Sequence, residues 1–281
     1  MIIARIEGGL GNQMFIYAAA RSLALHTGRM LKLDVHSVFD VDTYGRSYQL
    51  RRFNIQAQEA SEEDVTVYKV GSVSLKRLRR VNRLLPFNWR SLIEEKSLFD
   101  PRMLQFRPKR EKVYLIGYWQ REEYFKKVAN LVRQELTLKV ELSKETLAKT
   151  KQIRDVTNES VCLHARRIAY EHLLPKSYYE KAFIVLQKHV KSPYFFIFSD
   201  DFEWVQKNLN PPGPFEFVTH NGAERDFEDL WLMSQCRHAI IANSSFSWWG
   251  AWLNENPGKV VIAPAEWGYR ASPCQGWITV Q

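Results

Sequence analysis

Four short clusters carry side chains that can do chemistry. The first is Gly8-Gly9-Leu10-Gly11-Asn12-Gln13-Met14. Its glycines permit positive φ and let a ligand approach the backbone, and the helix start that follows offers free N–H groups. Asn12 and Gln13 add polar donors. The second is His164-Ala165-Arg166-Arg167. An arginine presents a planar fork that fits phosphate oxygens, and a fixed one stabilises the charge a departing diphosphate gains. The third is Phe198-Ser199-Asp200-Asp201. Its paired carboxylates suit a metal, a ribose or a base edge, while Ser199 or Asp200 would equally cap the helix that follows. The fourth is Asn243-Ser244-Ser245-Phe246-Ser247-Trp248-Trp249-Gly250-Ala251-Trp252. Hydroxyl and N–H groups at a helix start make an anion site there, ahead of a Trp-rich core helix.

Each cluster directly follows a run that reads as a buried strand. Such runs are Ile2–Ile6, Leu31–Val35, Val113–Tyr118, Val161–Ala165, Tyr194–Phe198, Glu216–Val218, Ala239–Ala242 and Val260–Ala263. Helical patterns separate them: Asn12–His26, Arg121–Glu135, Ser143–Asp155, Ser177–His189, Asp201–Leu209, Arg225–Gln235 and Phe246–Asn254. Alternation of this kind implies parallel sheets covered by helices, with ligands at the carboxyl ends of the strands. Asp34 ends the second strand, which offers a dinucleotide-binding reading of the first cluster, but Met14 stands where that fingerprint needs Gly or Ala. The polar stretch Val156-Thr157-Asn158-Glu159 suggests a domain boundary, giving domains 1–156 and 157–281. The segment 40–110 is hard to assign.

The chain has 281 residues, 45% apolar and 25% charged, which excludes a disordered chain, collagen and a coiled coil. Its net charge of +9 is concentrated. Between Lys76 and Lys112 lie twelve basic and four acidic residues, a surplus of eight. Such a patch attracts phosphates, acidic lipids or nucleic acid, or is a solvated face. Within it, Lys76–Leu85 could segregate basic and apolar residues on a helix, which favours an anionic membrane surface. The segment lacks the motif of a nucleic-acid reader, so no nucleic-acid partner is expected. Three scattered cysteines without a CxxC pair fit a reducing compartment. No apolar stretch is long enough to span a bilayer, and the N-terminus does not read as a signal peptide.

Taken in order, these blocks resemble the alpha-1,2-fucosyltransferases, glycosyltransferase family 11. The resemblance includes Gly117-Tyr118-Trp119-Gln120 and the closing Cys274-x-Gly276-Trp277, and is poor over Val38–Lys112. It implies a GT-B-like α/β fold, two facing Rossmann-like domains with mainly parallel sheets. It implies transfer of L-fucose from GDP-fucose to the 2-hydroxyl of a terminal β-galactoside, with inversion and without a cofactor or an essential metal. Arg166 occupies the position of the family's diphosphate-binding arginine. Ser244, Ser245 and Phe246 would line the diphosphate, with His164, Arg167 and Asn243 beside it. Asp200 and Asp201 would help hold the guanosine. Gly8, Gly9, Gly11, Asn12 and Gln13 would reach the donor and acceptor, with Asn12 orienting the attacking hydroxyl.

One departure stands out. Where the family reads His-x-Arg-Arg-x-Asp-Tyr, this chain has Ala169 in place of the aspartate. Glu171 and His172 follow closely and could substitute, Glu171 as a base. Two other readings stay open: a different nucleotide-sugar donor, and a nucleotide- or glycan-binding protein that lost activity with the Ala169 change. The absent membrane anchor suggests a bacterial-type cytoplasmic enzyme. Its acceptor could be a lipid-linked oligosaccharide at the inner face of the inner membrane, in synthesis of an O-antigen-type surface polysaccharide.

Overall fold

The structure, a computed structural model, describes residues 1–39, 42, 45–156, 159–168, 172–267 and 271–281. They form two compact units, Met1–Val140 and Glu141–Gln281.

The first unit runs β1 (Ile2–Arg5), α1 (Leu10–Thr27), β2 (Leu31–Asp34), β3 (Gln58–Glu59), α2 (Glu62–Val65), α3 (Val73–Leu84), β4 (Leu92–Glu94), β5 (Val113–Ile116) and α4 (Ala129–Glu135). Its five strands are all parallel, in the order β3-β2-β1-β5-β4. The central strands are enclosed, β5 throughout and β1 over Ile2–Ala4, as suits a parallel sheet covered by helices. On one face Ile3, Tyr114 and Ile116 pack with Tyr68 and with Leu75 of α3. Gly9 precedes α1 in an extended conformation, and Gly28 ends it at φ +63°, the left-handed cap that suits glycine. Glu135 of α4, 4% exposed, binds α1 twice: Arg21 donates to it through Nε and Nη2, and Tyr17 through its hydroxyl.

The second unit runs α5 (Lys144–Asp155), β6 (Glu159–Ala165), α6 (Lys176–Gln187), β7 (Pro193–Ser199), α7 (Phe202–Asn208), β8 (Phe215–Phe217), α8 (Asp226–Gln235), β9 (His238–Ile240), α9 (Ser245–Leu253), β10 (Val261–Pro264) and β11 (Ile278–Val280). All pairings are again parallel, in the order β11-β10-β9-β6-β7-β8. That is the order of a doubly wound nucleotide-binding sheet, with its reversal between β6 and β9. The apolar core includes Val161, Leu163, Tyr179, Phe195, Ile197 and Ile240. Helix α9 is buried on most sides. Trp248, Trp249 and Trp252 pack edge-to-face or stacked, with ring centroids 5.0–5.9 Å apart. A Cβ on Gly250 would meet Met233 Cβ of α8 at 2.9 Å, so the glycine permits the close approach of these two helices.

All eight expected strands are present, within two residues of the expected limits. Strands β3, β4 and β11 were not expected; they have two or three residues, too few for a pattern. The expected helix Arg121–Glu135 is broken into two 3-10 turns, Glu122–Tyr124 and Lys126–Val128, followed by α4. Phe125 leaves helical geometry at φ −131°, and the buried Tyr124 hydroxyl accepts from the Asp100 amide instead of following a helical face. The division of the chain falls one helix earlier than the Val156–Thr157 boundary expected from polarity. Helix α5 belongs with the second unit, because Glu228 of α8 accepts from the Ser143 amide and hydroxyl and the Thr146 hydroxyl. Cys162 and Cys236 are buried and Cys274 is half-buried; none forms a disulfide.

Candidate active site

In an open parallel sheet the crevice forms where the strand order reverses, outside the carboxyl ends of the two strands concerned. In the second unit those strands are β6 and β9. They end at His164-Ala165-Arg166-Arg167 and at Asn243-Ser244-Ser245-Phe246, two of the four clusters. In the first unit they are β1 and β5, which end at the Gly8–Gln13 loop and at Gly117–Gln120. Every cluster is thus at a switch point or, for Asp200 and Asp201, on the neighbouring strand β7.

Arg166 is held from β7. Its Nε lies 3.2 Å from Asp200 Oδ2, and its side chain is 40% exposed, open to a ligand. The same carboxylate accepts from the Arg167 amide at 2.7 Å and the Ile168 amide at 2.9 Å. Asp200 therefore fixes both the loop backbone and the guanidinium. Arg167 turns away: its Nη1 donates to the Leu174 carbonyl at 2.7 Å, and its guanidinium sits 3.7 Å from the Trp204 ring centre. A cation stacked this way is anchored rather than presented. Asp201 caps α7, accepting from the Trp204 amide at 2.9 Å, so the cap is neither Ser199 nor Asp200. Ser199 instead donates to the Ala165 carbonyl and closes the turn.

His164 is 5% exposed, 6.0 Å from the Phe246 ring. Burial first, and then the Arg166 charge, push its pKa down to about 3. It is a neutral imidazole, and its Nδ1 has no hydrogen-bond partner among the described residues. Ser244 caps α9, accepting from the Phe246 amide at 3.3 Å. The positive end of the α9 dipole thus lies beside the His164 ring, on the strand that leads to Arg166. Asn243 Nδ2 donates to the His172 carbonyl at 2.8 Å and ties this loop to the one after β6. Ala169 and Glu171 lie outside the described residues.

In the first unit Gly8 adopts φ +78°, and a Cβ there would strike Asn12 Nδ2 at 2.6 Å. The loop is built around Asn12. Its Oδ1 accepts from Gln120 Nε2 at 2.7 Å, joining the β1 and β5 loops. Gln13 is fully buried. Its Nε2 donates to the Gly8 and Ser47 carbonyls and its Oε1 accepts from the Gln49 amide, all within 2.9 Å. Its side chain serves the loop's shape rather than a ligand. Asp34 is equally committed: Ser37 and Tyr114 hydroxyls and the His36 and Ser37 amides donate to it. The acid required by the dinucleotide reading is therefore engaged within the protein.

Two residues in unusual environments, one in each unit, escaped the sequence reading. Glu95 accepts from the amides of Tyr118 and Trp119 at 2.8 and 3.0 Å, and Trp119 takes a positive φ of 53°. No sequence signal marked it, because the three residues of β4 that precede it carry no strand pattern. Asp229 of α8 is the other. It is raised to about 7, chiefly by burial, although Asn221 donates to it at 2.7 Å. An acid directly ahead of the apolar run Leu230-Trp231-Leu232 was its only signal. Among the described residues no group of three or more His, Cys, Asp or Glu is placed to hold a metal ion.

Residues 95–273 match the family model Glycosyl transferase family 11. The chain belongs to glycosyltransferase family 11. It is 30% identical to an alpha-1,2-colitosyltransferase of Escherichia coli, over 100% of this chain and 99% of the relative. It is also 30% identical to the O-antigen biosynthesis glycosyltransferase WbnK of Escherichia coli, over 93% of each. In fold it is similar to the crystal structure of NodZ alpha-1,6-fucosyltransferase soaked with GDP-fucose. The TM-score is 0.51 at 15% identity, over 90% of this chain and 91% of that one. The family-11 chain thus has the GT-B fold class, α/β with two parallel sheets. No helix among the described residues is long and apolar enough to cross a membrane.

Proposed function

We propose that this glycosyltransferase moves L-fucose from GDP-fucose to the 2-hydroxyl of a terminal β-galactoside, with inversion, in bacterial O-antigen-type polysaccharide synthesis. The observation that carries the reading is Arg166, clamped by Asp200 at the switch point of a doubly wound sheet, with the N-terminus of α9 on the adjoining strand. That is a site for a diphosphate. Family membership and the O-antigen relative support the sugar and the pathway class.

In the reaction the bond from fucose C1 to the phosphate oxygen breaks, and the pair of electrons leaves with GDP. Arg166 and the first-turn N–H groups of α9 stabilise that charge. The acceptor oxygen bonds to C1 from the opposite face. Its proton passes to a base or to solvent. Asn12, held by Gln120, orients the hydroxyl, and Glu171 is the candidate base. The oxocarbenium character of the sugar reduces the demand on that base. His164 stays neutral and packs against Phe246, so it adds no competing charge. The protein's own cations and dipoles serve the leaving group, and we propose a reaction without an essential metal. With a nucleotide-sugar donor and three thiols outside any disulfide, we place it in the cytoplasm.

The full-length similarity to a colitosyltransferase favours a second reading, in which the donor is GDP-colitose. Colitose is fucose without its 3-hydroxyl, so discrimination rests on whether a buried polar group meets that hydroxyl. The test is release of GDP from each donor, with and without simple β-galactosides, in EDTA. Galactoside-dependent release from GDP-fucose is the expected result. Release only from GDP-colitose overturns the fucose assignment, and dependence on added metal overturns the charge argument. Arg166→Ala is expected to lower kcat by at least ~100-fold, the scale of losing one preorganised anion-stabilising group. Near-parental turnover of that variant removes Arg166 from the mechanism.

A further inference from the structure

The basic segment singled out in the sequence is a surface in the fold. Helix α3 (Val73–Leu84) begins at the Ser72 cap, whose hydroxyl accepts from the Leu75 amide at 3.1 Å. One face is fixed. Leu75 is 1% exposed and packs, with Leu78, among Tyr68, Leu92 and Tyr114. Asn82 is buried too, its Oδ1 accepting from the Ser91 and Leu92 amides and its Nδ2 donating to Leu78. The helix cannot roll without breaking these bonds, so its outer face is set.

At 100° per residue that outer face carries Val73, Arg77, Arg80 and Leu84, flanked by Lys76, Val81 and Arg83. All seven are exposed, Val73 at 81% and Leu84 at 87%. Arg79, on the inner flank, is spent on Glu94 at 2.8 Å. Lys76, Arg77, Arg80 and Arg83 meet no carboxylate among the described residues, and the sequence holds no Asp or Glu between Asp64 and Glu94. Free cations and exposed aliphatic side chains thus share one rigid strip about 18 Å long.

We propose that α3 docks this protein on an anionic lipid bilayer. Lys76, Arg77, Arg80 and Arg83 meet the lipid phosphates, and Val73, Val81 and Leu84 enter the boundary between headgroups and acyl chains. A nucleic acid would satisfy the same cations but leave the aliphatic side chains in water, so the bilayer uses more of the surface. The surface includes none of the residues assigned to the donor, and it stands whichever donor is used.

The test is co-sedimentation of the full chain with vesicles of equal parts phosphatidylglycerol and phosphatidylcholine, against vesicles of phosphatidylcholine alone. Binding to the anionic vesicles is expected at about 50 mM salt and its loss at about 500 mM, as the screening length shrinks. The variant K76Q/R77Q/R80Q/R83Q is expected to partition at least ~100-fold more weakly, since each cation near the surface contributes several-fold. V73S/L84S is expected to weaken binding about tenfold, from the apolar area lost. Thermal unfolding checks that both variants are folded, and GDP release with a soluble galactoside is expected at the parental rate in each. Equal binding to neutral vesicles overturns the proposal. So does parental binding by the four-cation variant, or binding of duplex DNA that the same variant abolishes while vesicles are ignored. Failure here leaves the donor reading intact, because GDP release is scored separately on the same samples.

Discussion

Asp200 shows how one carboxylate fixes the geometry of a charge it does not itself transfer. It accepts two loop amides and pairs with Arg166. Asp200→Asn keeps the size but loses the charge and one acceptor. We expect kcat to fall about tenfold or more, with a smaller change in KM, as the guanidinium loses its fixed position at the moment of charge development. Steady-state kinetics on the donor check this; a pure KM effect would place Asp200 in ground-state binding only. At this scale the sequence was informative about residue types and strand ends. The clusters that hold Arg166 and Ser244 were readable as strand-end loops because each follows an apolar run. The double duty of Asp200 was not, since the partners lie on β6 and β7 and meet only through sheet pairing. Gln13 carried a functional signal in its motif, yet its amide is used up inside the loop.

At the scale of elements, α1 is held to α4 by a single buried carboxylate. Glu135 satisfies both Arg21 and Tyr17, and the Tyr17 hydroxyl in turn accepts from the Gln56 amide at 2.9 Å. Burial and the neighbouring carboxylate hold the Tyr17 phenol protonated far above its ordinary range. Glu135→Ala leaves a half-buried guanidinium and a buried hydroxyl without their acceptor. We expect a loss of about 3 kcal/mol in denaturant unfolding, the usual scale for breaking a buried charged pair from one side. A loss below about 1 kcal/mol would mean that water replaces the carboxylate at little cost. Helices α1 and α5 were readable from their patterns, starting and ending within two residues of the expected limits. The patterns failed over Arg121–Glu135, where buried Tyr124 and Phe125 fit a helical pattern but serve a pair of 3-10 turns. They failed again at β3, whose Gln58 and Glu59 are both exposed and carry no strand signal.

For the whole molecule, buried His164 and half-buried Asp229 make stability depend on pH in opposite directions. His164 has a folded pKa near 3 against 6.5 in an unfolded chain. Between those values the unfolded chain binds the extra proton, so stability rises with pH across that window. Asp229 has a folded pKa near 7 against 3.8. There the folded chain holds the extra proton, so stability falls as pH rises from about 4 to 7. Asp229→Asn is therefore expected to raise the melting temperature at about pH 8, by roughly 2 kcal/mol of stability, and to change it little near pH 4. An unchanged melting curve at the higher pH would show that Asp229 ionises freely in the fold. The alternation of strands and helices announced two parallel sheets. The strand orders that put the clusters at switch points depend on which strands pair, and no single stretch of sequence states that. The buried thiols have a practical corollary. Cys162 and Cys236 are enclosed and their ionisation is suppressed by burial, whereas Cys274 is half-exposed, three residues before Trp277, whose ring lies 5.7 Å from that of Trp248. A thiol-directed dye on the unmodified chain thus has one reachable sulfur, next to a cluster of indoles able to quench it, which gives an optical reporter on the second unit without engineering.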